Sequence, residues 1–240
     1  MSTSKNIVLI NGSPKINEES VSGYLVSMLS DRIGADGGSK IIINVRQSLT
    51  HRQTQSDFDV ISNADSVVIV FPLYIFCLPA MLTRFLEDYY HYYAGTGKTA
   101  GHQKVYAIVN CGFPEAEINT EAARVIQSFS RHINAQYRFS ILIGSGGMLL
   151  GAKGAPFMKK ALIKLQNAFD EIKNDSLNDG IQNLENVLIN VNFPRRLYFF
   201  MGDRGFIHDA HKNGLKKKDM LRKPYQVNEP VNSVFMDNSI

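Results

Sequence analysis

Cysteine is scarce in this chain, with two in 240 residues. Two thiols exclude a disulfide framework and a Cys-rich metal site, and they predict a reducing, cytoplasmic setting. Long hydrophobic runs are missing too. No apolar stretch approaches the roughly 18 residues that a bilayer span needs. The first residues, MSTSKN, lack the apolar core of a signal peptide. Excess charge is absent from most of the chain. The net charge of +4 resides in residues 191–240, which hold nine Lys/Arg against five Asp/Glu. Residues 1–190 are neutral, so a chain-wide nucleic-acid footprint is excluded. These absences predict neither a membrane nor a nucleic-acid partner.

What is present is the material of one α/β domain. The hydrophobic fraction of 44% is ordinary for a globular protein. Apolar runs at residues 6–10, 40–45, 66–71, 105–110 and 139–143 alternate with segments of helical periodicity. Val21, Tyr24, Leu25, Met28, Leu29 and Ile33 share one helix face. So do Met81, Leu82, Phe85, Leu86 and Tyr89. A shorter helix is expected near 58–63, and Thr120 is placed to cap the helix after the fourth strand. The pattern predicts a five-stranded, doubly wound parallel sheet over residues 1–154. Ligands of such sheets bind outside the carboxyl ends of the strands. Beyond 154 no run reads as a strand. Residues 155–240 read as a helical extension and a tail, with helices over 156–173 and 178–190, a third beginning near Pro194 and a fourth ending at Gly214.

Three strand ends carry chemistry. The first strand runs into NGSPKINEESVS, which holds Ser13, Lys15, Asn17, Ser20, Val21 and Ser22 ahead of a helix. Free N–H groups and the helix dipole at that point suit a phosphate. The third strand runs into PLYIFCLPAM, apolar and aromatic where a connecting loop is normally polar. Pro72, Leu73, Tyr74, Ile75 and Phe76 lie there, and they suit a flat apolar ring. Read alone, Tyr74 and Phe76 serve equally well as ordinary core. The fourth strand runs into NCGFPE, with Asn110, Cys111, Gly112 and Phe113. Cys77 and Cys111 read as small apolar fillers, because nothing basic neighbours them in sequence. A phosphate grip and a ring bed along one sheet edge fit a mononucleotide with a large ring. One phosphate loop, without a second glycine-rich turn for an adenylate, favours FMN over FAD.

Two other patterns carry less. Residues 92–99, YYAGTGKT, contain Gly-Lys-Thr but follow a helix and lack the first glycine of a phosphate-binding P-loop. His208 and His211 are three apart with no third ligand nearby in sequence, so no metal is expected.

In the order NGSPK, DSVVIVFPLYIFCLPAMLTRFLED and VNCGFPE, the chain resembles the flavodoxin-like NAD(P)H-dependent FMN reductases, including cluster-free relatives of the iron–sulfur flavoproteins. The resemblance spans about residues 5–150. It implies FMN as cofactor and NAD(P)H as electron donor. It implies a small acceptor of quinone, azo, nitro or flavin type, and a homo-oligomer. By the same resemblance, Ser13, Lys15, Ser20, Val21 and Ser22 hold the phosphate. Residues 72–76 line the isoalloxazine, and residues 110–113 border its other side. The chain has Ser20-Val21-Ser22 where Gly-Asn-Ser/Thr is usual, and Lys15 where Arg is usual. Lys supplies a point charge without the guanidinium fork. No catalytic side chain is implied. A flavodoxin-like electron carrier and a non-catalytic binding protein of this fold are the alternatives. The basic segment LKKKDMLRKPY at 215–225 reads as a solvated helix end, a cover for a neighbouring subunit's FMN site or a nucleic-acid contact.

Overall fold

The computed structural model describes residues 5–15, 19–34, 39–96, 102–178 and 184–223. In chain order the elements are β1 (Asn6–Asn11), α1 (Val21–Gly34), β2 (Ser39–Asn44), α2 (Val45–Thr50), α3 (Thr54–Ser62), β3 (Ser66–Pro72), α4 (Ala80–Thr96) and β4 (Lys104–Asn110). They continue with α5 (Thr120–His132), β5 (Gln136–Ile143), α6 (Met148–Gly151), α7 (Lys159–Leu177), β6 (Val187–Ile189) and α8 (Arg195–Lys212). The strands pair in the order β2-β1-β3-β4-β5-β6, and every pair is parallel. The chain reverses its direction of travel between β1 and β3, so a crevice opens at the carboxyl ends of those two strands.

β1, β3 and β4 are apolar at nearly every position because helices cover both of their faces. Val8, Ile10, Val67, Ile69, Phe71, Val105, Ala107 and Val109 belong to the core shared with α3, α4 and α5. There Phe58 meets Phe85 and Tyr89 edge to face at 5.1 and 5.4 Å. Alternate residues of the same strands point to the opposite face, toward α1 and α7, which contact each other.

Four sequence expectations change. The sheet has six strands, not five, because β6 pairs with β5 through three residues. A three-residue apolar run is too short to show a period, and it falls within the helix expected over 178–190. Thr120 begins α5 and its hydroxyl donates to Glu117 O at 2.6 Å, so it does not cap the helix. One continuous α8 replaces the broken helices expected after Pro194. The chain divides into two compact units, Met1–Asn192 and Phe193–Ile240, so α7 and β6 fall in the first unit and the boundary lies past 154. The second unit holds α8 and a 3-10 turn at Lys217–Leu221. In α8 only Ala210 is buried. The Gly-Lys-Thr at 97–99 and the tail from 224 lie outside the described residues.

Candidate functional site

The loop after β1 is shaped by tight packing and one asparagine. Gly12 N donates to Val70 O at 2.8 Å, continuing the sheet. A Cβ on Gly12 would lie 2.8 Å from Leu82 Cδ2 and 3.0 Å from Phe71 Cβ, so a larger residue there would have to displace Leu82. Asn11 Oδ1 accepts from Ser13 N at 3.1 Å, and Asn11 Nδ2 donates to Asn44 Oδ1 at 3.0 Å. The loop is thereby pinned to the end of β2. Lys15 N donates to Ser13 Oγ at 3.4 Å.

Ser20 caps α1. Its Oγ accepts from Gly23 N at 2.9 Å, and its carbonyl accepts from Tyr24 N at 2.9 Å. Two of the four first-turn donors are thus satisfied within the chain. The N–H groups of Val21 and Ser22 have no acceptor among the described residues. Val21 therefore offers its backbone, and its apolar side chain is no obstacle to an anion. The Ser22 hydroxyl is buried and accepts from Asn110 Nδ2 at 3.0 Å. Of the phosphate residues expected from sequence, Ser13, Ser20, Val21 and Ser22 come together here with Lys15. Asn17 lies outside the described residues.

The loop after β3 is a tight hairpin. Leu73 N donates to Asn110 O at 2.8 Å, and Pro72 and Leu73 are half-buried. Tyr74 and Cys77 exchange backbone hydrogen bonds of 2.9 and 3.0 Å. Between them Ile75 and Phe76 have φ values of +50° and +59°. Two consecutive positive φ values are those of a type I′ turn, which normally carries Asn-Gly. Ile and Phe there store about 1–3 kcal/mol of strain each. Burial does not offset it: Tyr74, Ile75 and Phe76 are 47%, 95% and 59% exposed. Tyr74 and Phe76 are thus not core. Phe76 stacks on Phe113 at 6.1 Å with the rings 17° from parallel, joining the β3 and β4 loops. Gly112 is exposed beside Phe113. Tyr74 N–H is consumed by the hairpin, whereas those of Ile75 and Phe76 have no acceptor among the described residues.

Asn110 and Cys111 face inward. Besides reaching Ser22, Asn110 Nδ2 donates to Phe71 O at 3.1 Å, so it ties β4 to β3 and to the start of α1. The Cys111 Sγ accepts from Asn119 Nδ2 at 3.4 Å, and burial pushes its pKa up, keeping the thiol protonated. Both brace the edge from behind. Ser145 N to Phe113 O at 2.6 Å and Gly146 N to Cys111 O at 2.7 Å fix this loop from the β5 side. A Cβ on Gly144 would fall 2.2 Å from Pro114 O, so glycine is required for that approach.

Two residues of the site, Asn119 and Arg46, had no motif to mark them, and Asn11 opens NGSPK without having been assigned a role. Arg46 opens α2, and its Nη1 donates to Pro14 O at 3.2 Å. It shares with Ser13, Lys15 and Ser20 a cleft of about 530 Å³ on the β2 side of the loop. Only the short spacing from the end of a strand to Arg46 hinted at it. Among the described residues, no group of three His, Cys, Asp or Glu side chains is arranged to hold a metal.

A parallel sheet with an anion-ready loop after β1 and an apolar ledge after β3 defines a class of ligand-binding α/β proteins. The sequence model of the flavodoxin-like fold matches residues 5–140, and this chain belongs to that family. Among solved structures, an NADH:FMN oxidoreductase (EMOB, apo form) is 18% identical, covers 81% of this chain and 98% of its own, and has a TM-score of 0.57. A Klebsiella pneumoniae protein provisionally named a quinone reductase is 14% identical over 70% of this chain and 85% of its own, with a TM-score of 0.51. A tryptophan halogenase of Streptomycin violaceusniger reaches the same TM-score at 15% identity, over 73% of this chain and 99% of its own. At such identities the likeness shows the fold alone. No curated protein matches the chain.

Proposed function

We propose that this protein is an FMN-dependent NAD(P)H oxidoreductase that passes electrons to a small acceptor. The observation that carries the reading is the Tyr74–Cys77 hairpin, a strained, exposed, apolar turn at the sheet edge that holds the phosphate loop. Solvent alone does not reward two large apolar side chains at left-handed φ. A flat ring laid on them does.

The residues fit FMN. Val21 and Ser22 offer two N–H groups to a phosphate, and Lys15 supplies a cation. Tyr74, Ile75 and Phe76 supply the apolar bed, with Gly112 and Phe113 across from it. The free N–H groups of Ile75 and Phe76 are placed on that bed as donors to an electron-rich ring edge, where they stabilise developing negative charge. FMN, when bound, accepts hydride from the nicotinamide and hands electrons on. The protein positions, excludes water on one side and supplies dipoles. It needs no acid or base side chain.

The runner-up is a flavodoxin-like electron carrier, which the exposed bed also serves. A carrier that docks on protein partners gains from a strongly charged face, and residues 1–190 are neutral. Purified protein is expected to take up FMN with the yellow absorbance of bound flavin, and NADH or NADPH is expected to bleach it anaerobically. Colour without bleaching by either nucleotide favours the carrier. No flavin uptake rejects both.

A further inference from the structure

The cleft on the β2 side of the phosphate loop has features that a flavin monophosphate leaves unused. None of the residues of the ring bed line it, so it extends away from the bed. Apart from Gly23 and the half-buried Tyr24, its lining residues carry polar or charged side chains. At about 530 Å³ it lies within the size range of small-molecule sites and is far larger than one phosphate requires.

Arg46 is the central feature. It is half-buried and anchored by Pro14 O, and it has no carboxylate partner among the described residues. A half-buried guanidinium with no carboxylate beside it is well suited to pair with an anion. Among the described residues Glu19 is the one carboxylate on the walls, against Lys15 and Arg46. Outside the lining, Lys153 Nζ lies 5.4 Å from the Tyr24 ring centroid. Gln47 is exposed on the α2 wall with an amide suited to the edge of a base, and the Tyr24 ring offers a stacking face.

The geometry points to this cleft as a site for a nucleoside phosphate, with Arg46 holding its phosphoryl group and Tyr24 and Gln47 taking the base. The nucleoside phosphate is either joined to the flavin phosphate, as the adenylate half of FAD, or carried by a separate nucleotide. Its size and placement rest on the cleft. Only the link to a flavin depends on the function proposed above.

Titration calorimetry with AMP, on the chain with and without FMN, tests it directly. AMP is expected to bind, and Arg46→Ala to weaken it about tenfold or more, the usual worth of a charge-assisted phosphate contact. Arg46→Lys, which keeps the charge and loses the fork, is expected to fall between. Gln47→Ala is the second variant, since it leaves the bond to Pro14 in place, and a loss of AMP affinity is expected. Binding of FAD and FMN then separates the sources. FAD held more tightly than FMN, with AMP excluded by FAD, marks the linked adenylate. FAD no tighter than FMN, with AMP joining the FMN-loaded protein, marks a separate nucleotide. AMP binding without FMN uptake keeps this site and removes the oxidoreductase reading. No AMP binding in either form, or AMP binding indifferent to both Arg46 variants and to Gln47→Ala, overturns the proposal.

Discussion

Ile75 and Phe76 occupy backbone that asparagine and glycine hold in ordinary hairpins, and they do so in full view of solvent. The physical expectation is a trade between stability and binding. Giving the turn its usual asparagine and glycine, through Ile75→Asn with Phe76→Gly, is expected to stabilise the apoprotein by about 1–2 kcal/mol by relieving strain. The same change is expected to weaken flavin binding by about tenfold or more, because the bed is lost. Thermal melting and flavin titration on one sample check both halves. Apoprotein that is destabilised instead shows that the turn is held by packing. Tyr74→Ala is expected to loosen flavin and slow NAD(P)H oxidation while the apo melting curve stays in place, since Tyr74 is nearly half exposed. The two thiols differ in the same physical way. Cys77 is exposed and Cys111 is buried with a raised pKa. Iodoacetamide at neutral pH is therefore expected to label Cys77 alone, read by peptide mass.

At the scale of elements, α7 is fastened to the sheet by a buried charge cluster. Arg138 on β5 grips the Asp175 carboxylate through two bonds of 2.7 and 2.9 Å. Tyr106 OH on β4 donates to the same carboxylate at 2.7 Å. Lys104 Nζ donates to the carbonyls of Asp175 and Asn178 at 2.5 and 2.6 Å, satisfying groups that the end of α7 leaves open. Burial pushes the Asp175 pKa up, but the bonds from Arg138 and Tyr106 and the charge of Lys104 outweigh it and hold it below the ordinary value. A lowered folded pKa means stability that is complete above the unfolded value of 3.8 and is lost as pH falls through the folded one. Asp175→Asn is expected to cost about 3 kcal/mol near neutral pH, since it removes the counter-charge of the buried Lys104 and the half-buried Arg138. The gap to wild type is expected to narrow in acid. Urea midpoints at pH 7 and pH 3 decide it, and an equal gap at both removes the carboxylate from the explanation.

At the scale of the whole molecule, α8 carries more apolar surface than its own unit covers. Leu197, Phe199, Phe200, Met201 and Phe206 are all exposed. A cluster of exposed large apolar side chains on one helix calls for a partner. We expect the full chain to form a homodimer or larger assembly through this segment. Light scattering is expected to give a multiple of 26.9 kDa for the native chain and a smaller mass for Phe199→Glu with Phe200→Glu. A monodisperse native monomer removes that role from α8.

The sequence by itself determined the alternation of strands and helices and the parallel sheet. Those are local matters. A continuous apolar run such as SVVIVF reads as a strand buried on both faces, and NGSPK after a strand must turn. What distinguishes a bed from a core was not local. Tyr74 and Phe76 have the same composition in either role, and only the hairpin geometry and their exposure show that they are not core. Asn110, which the family resemblance sets beside the ring, has an amide that bonds across 88 residues to Ser22, a partner no local pattern marks. β6 was hidden because three residues have no readable period until β5 pairs with them. Arg46 and Asp175 carry no motif at all. Each gains its meaning from groups 32 to 71 residues away, and only tertiary structure brings such partners within hydrogen-bond reach.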